Sequence, residues 1–152
     1  MDEIGTCLWF NGRAEEAASF YVGLFANSRI TDVSRLGDGG AMAIVSFELN
    51  GRSFRAFDGG PEFVFNEAIS FELFFDDQSA LDAKWVALTA DGGQESQCGW
   101  LKDKFGVSWQ LIPAMLQGVL AGPDPDGAAR AMTAMLGMQK LDIAQLQAAY
   151  DS

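Results

Sequence analysis

The feature that most limits what this chain can fold into is a pattern that occurs twice. Leu8, Phe10 and Phe20 recur 65 positions later as Leu73, Phe75 and Trp85. In each copy a short apolar run is followed by a segment of helical period. In the first copy the strand Ile4 to Phe10 ends at Asn11-Gly12, and Ala17, Phe20, Tyr21 and Leu24 fall at i, i+3, i+4 and i+7, the stripe of an amphipathic helix over Ala14 to Phe25. A strand follows over Arg29 to Leu36, then the glycine-dense Gly37 to Gly40, then Ala41 to Leu49, where Ala43, Val45, Phe47 and Leu49 alternate with Met42, Ile44, Ser46 and Glu48. Asn50-Gly51 is a two-residue hairpin signal into Arg52 to Phe57, and Asp58 to Pro61 is a loop. The second copy restarts with a strand over Ile69 to Phe75 and a helix over Ser79 to Leu88 carrying Leu81, Trp85 and Leu88. After the turn Asp91 to Gly93, strands are expected over Gln94 to Trp100 and Val107 to Pro113, joined by the polar turn Lys102-Asp103-Lys104 and Gly106.

Beyond Pro113 nothing repeats. Ala114 to Leu120 reads as a short helix closed by Gly122. Asp124-Pro125 is a cap followed by proline at the first helical position, and Ala128, Met132, Met135 and Leu136 form one stripe. Asp142 caps a last helix carrying Ile143, Leu146 and Tyr150. The Met-rich stripe is expected to pack on the sheet or on a second subunit. The expected fold class is α+β, a single domain built from tandem βαβββ modules over about residues 1–61 and 66–113, with a helical tail over about 114–152.

Histidine is absent from all 152 residues. That excludes Ser-His-Asp and Cys-His catalysis and any metal site that needs imidazole. Cys7 and Cys98 are too few for a disulfide framework and read as small hydrophobes. A net charge of −11 opposes contact with nucleic acid or anionic lipid. No apolar run reaches the ~20 residues of a membrane span, and Met1 to Ile4 lacks a secretory leader's basic flank. A cytoplasmic protein whose partner is a small molecule or a second copy of itself is the expectation.

Dispersed blocks in a fixed order carry a family likeness. Cys7 to Phe10, Ala26 to Ile30, Gly59-Gly60-Pro61, Phe65 to Phe71 and Cys98 to Lys104 resemble the PhnB-like branch, labelled 3-demethylubiquinone-9 3-methyltransferase, of the vicinal-oxygen-chelate superfamily. That superfamily includes glyoxalase I, bleomycin-resistance proteins and extradiol dioxygenases. The resemblance implies curved mixed sheets, a homodimer, and in metal-using members four ligands, usually His, Glu, His and Glu. Carried over, those positions fall near Thr6, near Phe57 or Asp58, near Ala68 or Ser70, and on Gln110. This set departs from the metal pattern, so no metal and no other cofactor is expected; a water-rich Mg²⁺ site is the alternative. Adenosylmethionine finds no strand-to-helix glycine loop, because Gly37 to Gly40 lies between two strands.

Trp9, Phe57, Ser70, Trp100, Ser108 and Gln110 are the candidate ligand-binding residues, an apolar lining with a few directing polar groups. Gln110 shares a strand face with Ser108 and Ile112. Three functions remain open. One is a metal-free protein sheltering an apolar or aromatic molecule in the sheet cup. The second is an enzyme, either a group transferase or a lyase/isomerase using Glu67, Asp58 or Tyr21 as acid or base. The third is a dimeric interaction module whose cup is filled by its own side chains.

Overall fold

The computed structural model describes residues 4–152; Met1 to Glu3, part of the sequence reading of the N-terminus, lie outside it. The chain forms two compact units, divided between Val64 and Phe65. The first contains β1 (Thr6–Phe10), α1 (Ala14–Leu24), β2 (Arg29–Leu36), β3 (Met42–Leu49) and β4 (Arg52–Asp58). Its sheet has the order β1-β4-β3-β2, with β1 and β4 parallel and the other neighbours antiparallel. Alternation decides its two faces. Leu8, Phe10, Val45, Phe47 and Ala56 are buried under Ala14, Ala17, Ala18 and Tyr21 of α1. Asn50 and Gly51 take φ of 48° and 79°, the left-handed pair a two-residue hairpin requires.

Helix α1 lacks a local cap, since Arg13 at its N-cap contributes no side-chain hydrogen bond. Asp58 supplies one from the end of β4: its Oδ1 accepts from Ala14 N at 2.9 Å. This joins helix to sheet through a charge-assisted bond in a buried setting.

The second unit contains β5 (Phe71–Phe75), α2 (Gln78–Thr89), β6 (Gln94–Glu95), β7 (Trp100–Lys102), β8 (Ser108–Pro113), α3 (Leu116–Leu120), α4 (Pro125–Leu136) and α5 (Ile143–Asp151). Its sheet order, β5-β8-β7-β6, repeats the first topology, with β5 and β8 parallel. The strand expected over Gln94 to Trp100 is divided in two. Cys98 and Gly99 adopt φ of 57° and 82°, and this left-handed pair turns the chain so that Gln94 and Glu95 pair back on Lys102 and Leu101. The second copy thereby acquires its third strand. Likewise β5 begins at Phe71 rather than Ile69, because Asn66 Oδ1 accepts from Ala68 N and holds a turn.

Each α2-facing side chain is apolar: Leu81, Trp85 and Leu88 cover Leu101, Trp109 and Leu111. Asp77 caps α2 by accepting from Ala80 N at 2.8 Å. In the tail, Leu116, Leu141 and Leu146 form a cluster joined by Ile112, Met135 and Met138, so part of the methionine stripe packs inside the unit while Met132 and Leu136 remain exposed. No helix among the described residues is long and apolar enough to cross a membrane.

The tail is tied to the sheet by polar bonds as well as packing. Cys98 N and Gly99 N donate to Met138 O and Gln139 O at 2.8 and 2.7 Å. Gln78 uses both ends of its amide, donating to Leu141 O at 3.1 Å and accepting from Ile143 N at 2.8 Å. Replacing it as Gln78→Leu leaves both backbone groups without that partner, so urea unfolding is expected to report a loss of about 1–3 kcal/mol. Hydrogen exchange is expected to quicken from Leu141 through α5, and unchanged exchange there would refute the clamp.

Candidate functional site

The hairpin from Trp100 to Pro113 is organised by one side chain. Asp103 is 2% exposed, and its Oδ1 accepts from Phe105 N at 2.9 Å and Val107 N at 3.1 Å while Oδ2 accepts from Trp109 Nε1 at 2.9 Å. Its backbone closes the same turn, with Asp103 N donating to Val107 O and Gly106 N donating to Asp103 O, both at 2.9 Å. The polar turn expected at Lys102-Asp103-Lys104 is thus polar for different reasons at each residue. Asp103 faces inward to accept from three donors, and Lys102 ends β7. Aspartate at the first and glycine at the fourth position of a turn was the signal available in the sequence.

This arrangement fixes which side chains share the open face of β7 and β8. Lys102 lies directly opposite Ser108, and Trp100 directly opposite Gln110. A groove of about 420 Å³ runs here, lined by Trp100, Lys102, Ser108, Gln94 and Glu67 among others. Ser108 is 2% exposed, and its Oγ has no hydrogen-bond partner among the described residues. Gln110 is otherwise engaged: its Nε2 donates to Ser70 Oγ at 2.8 Å. Glu67 Oε1 stands 2.5 Å from Lys102 Nζ, at the rim.

Five of the residues singled out from sequence, Glu67, Ser70, Trp100, Ser108 and Gln110, therefore belong to one region of the second unit. The others lie in the first unit. Trp9 and Phe57 are cross-strand neighbours and pack edge to face at 5.1 Å, with Phe63 at 5.0 Å on the indole. Trp9 Nε1 donates to Gly60 O at 2.9 Å, and its ring lies so close to Gly59 that an added Cβ would overlap it. These aromatics satisfy one another. Of the acid/base candidates in this unit, Asp58 caps α1, and Tyr21, on the sheet-facing side of that helix, is fully buried and stacked on Phe47.

A separate groove of about 510 Å³ in the first unit is lined by Thr6, Cys7, Ser46, Ser53 and Arg55 among others. Registers place Cys7 beside Arg55 and, in the second unit, Glu72 beside Gln110, at matching points of the two parallel strand pairs. Glu72 went unnoticed in the sequence, although it shares a strand face with Phe74 and alternates with Phe71 and Leu73. A guanidinium at one such point and an amide at the other give a poor donor set for a cation. Among the described residues no three His, Cys, Asp or Glu side chains are grouped to hold a metal.

Two measurements follow from this geometry. Asp103→Ala removes the carboxylate that accepts from Trp109 Nε1 and two backbone amides in the interior, and a loss of about 3–5 kcal/mol is expected in denaturant unfolding; a loss under about 1 kcal/mol would deny Asp103 its organising role. Glu67 titrates below its ordinary value of 4.5, held down first by the hydrogen bond from Lys102, then by its own backbone amide and the lysine charge. A carboxylate with a depressed folded pKa stabilises above its unfolded pKa and loses that contribution as pH falls through the folded one. A carbon-13 side-chain titration should place the Glu67 midpoint below 4.5 in the wild type and return it upward in Lys102→Met.

Comparison with known proteins places these features in company. The profile of the 3-demethylubiquinone-9 3-methyltransferase family matches residues 2–112. The PhnB protein of Bacillus cereus, which carries the same methyltransferase name, is 33% identical, with 73% of this chain covering 99% of that one at a TM-score of 0.66. The protein PA1353 from Pseudomonas aeruginosa is 21% identical over 74% of this chain and 98% of its own, at a TM-score of 0.58. The fosfomycin resistance protein FosX from Listeria monocytogenes shares 13% identity over 76% and 93%, at 0.56; at such identities these last two share the fold alone. No curated protein matches the chain.

Proposed function

The chain belongs to the PhnB-like, 3-demethylubiquinone-9 3-methyltransferase family, and from that premise we propose that it binds a small apolar or aromatic molecule, without a metal, in the groove of its second unit. One observation carries the reading: the buried Ser108 hydroxyl, without a hydrogen-bond partner among the described residues, beside Trp100 and Lys102 on the groove lining. A hydroxyl left unpaired in the interior costs about 1–3 kcal/mol. A ligand that bonds it recovers that cost while covering the Trp100 ring. The combination of apolar surface with a few convergent polar groups is the usual composition of a small-molecule site.

The family name points to methyl transfer from adenosylmethionine, and the residues do not fit that group. The glycine-dense stretch forms an exposed 3₁₀ turn at Asp38–Gly40 between β2 and β3. No helix N-terminus follows it to receive a nucleoside or phosphate. Catalysis by Glu67 is the second reading. Its carboxylate is exposed and held ionised by Lys102, which suits an electrostatic role better than proton transfer near neutrality.

The reading is tested with neutral 2-naphthamide, followed by thermal unfolding and by the Trp100 indole NMR signal. At a hundredfold its Kd the compound is expected to stabilise the fold by about 2.7 kcal/mol and to shift Trp100, with a weaker response in Ser108→Ala. A panel of naphthalene and quinone compounds that neither stabilises the protein nor moves Trp100 would remove the proposal.

A further inference from the structure

We infer that the ligand of the second-unit groove carries a carboxylate on an aromatic ring, and that Glu67 occupies the carboxylate's place until such a ligand displaces it. This rests on the reading of that groove as a ligand site and adds to it the ligand's charge and orientation.

Lys102 and Ser108 form one cross-strand pair and Trp100 and Gln110 the next, the two pairs roughly 7 Å apart along the strands. The first pair sets the Lys102 and Ser108 side chains as neighbours on one face of the sheet, the hydroxyl buried at the groove floor. A carboxylate has two oxygens, one for each, and it completes the hydroxyl that no described residue satisfies. The second pair presents an indole, a surface for a ring attached to that carboxylate. Head and ring therefore match the order of groups along the groove.

The chain already shows what Lys102 accepts, because a carboxylate, that of Glu67, sits 2.5 Å from its ammonium. The two partners differ in how firmly they are placed. Lys102 ends a strand and its side chain is 33% exposed, whereas Glu67 is 61% exposed on the turn before β5. An exposed ion pair is screened by solvent and holds weakly, so an incoming acid displaces Glu67 at small cost. Of the two nearby carboxylates one is already engaged and the other sets the orientation. Glu95 accepts from Trp85 Nε1 at 2.7 Å, and Glu72 stands opposite Gln110, where it repels negative charge at the ring end and leaves the Lys102 end as the place for the acid.

The test compares 2-naphthoate with its neutral isostere 2-naphthamide by calorimetry on the full chain. The acid is expected to bind about tenfold tighter. Glu67→Gln is expected to tighten the acid several-fold and to widen its advantage over the amide, since it removes the internal competitor. Lys102→Met and Ser108→Ala are each expected to shrink the preference for the acid. Equal affinities in the wild type, or an unchanged acid affinity in Glu67→Gln, would overturn the inference while leaving the groove reading intact. Absence of binding by either compound, with no response at Trp100, would overturn both. Glu67 is exposed, so its variant keeps the test decisive should Lys102→Met fail to fold.

Discussion

The Asp103 carboxylate is the interaction on which the rest of the second unit depends. Three donors converge on it in a setting that excludes water, and a buried charge persists only when its hydrogen-bonding capacity is met in this way. The consequence is geometric. With the turn fixed, the register of β7 and β8 is fixed, and a slip of one residue would send Trp100, Lys102, Ser108 and Gln110 to the helix-covered face. Trp109, bonded to Asp103 and packed at 5.1 Å on Phe71, anchors the opposite face. The groove is thus the outer surface of a hairpin whose inner surface is locked.

The two copies have kept one topology and diverged in chemistry. Both sheets place the strand before the helix parallel to the last strand of the module. On the open face the first copy carries Cys7 and Arg55 where the second carries Glu72 and Gln110. The first copy also spends its aromatic residues on themselves, with Trp9 held by Gly60 and wedged against Gly59, whereas Trp100 in the second lines a groove. The two units share one strand order, and the side chains on their open faces differ in kind.

Much of the fold was legible in the sequence because it is written in periodicity. The 65-residue offset aligns β1 with β5 along its full length, and Asn50-Gly51, Asp124 and Asp142 mark a hairpin and two caps where the residue types demand them. The missed features are long-range. Nothing local distinguishes Asp58, which caps a helix 44 residues earlier, from a groove carboxylate. Nothing local makes Gln78 a clamp on residues more than 60 positions away. The split of Gln94 to Trp100 depends on a left-handed Cys98, a conformation that non-glycine residues seldom take and that patterning therefore does not foresee. Alternation put Ser108 and Gln110 on one face of β8, as the register has them, while Lys102 was hidden because a lysine beside Asp103 reads as turn decoration.

The two ways of capping a helix bear on how each unit comes together. Asp77 caps α2 from the adjacent position, so that helix is complete as soon as its first turn forms. For α1 the cap arrives with Asp58 at the end of β4, and a loop spanning three strands must close before it does. Helix and sheet in the first unit are consequently obliged to form together, whereas α2 of the second unit is free to lead.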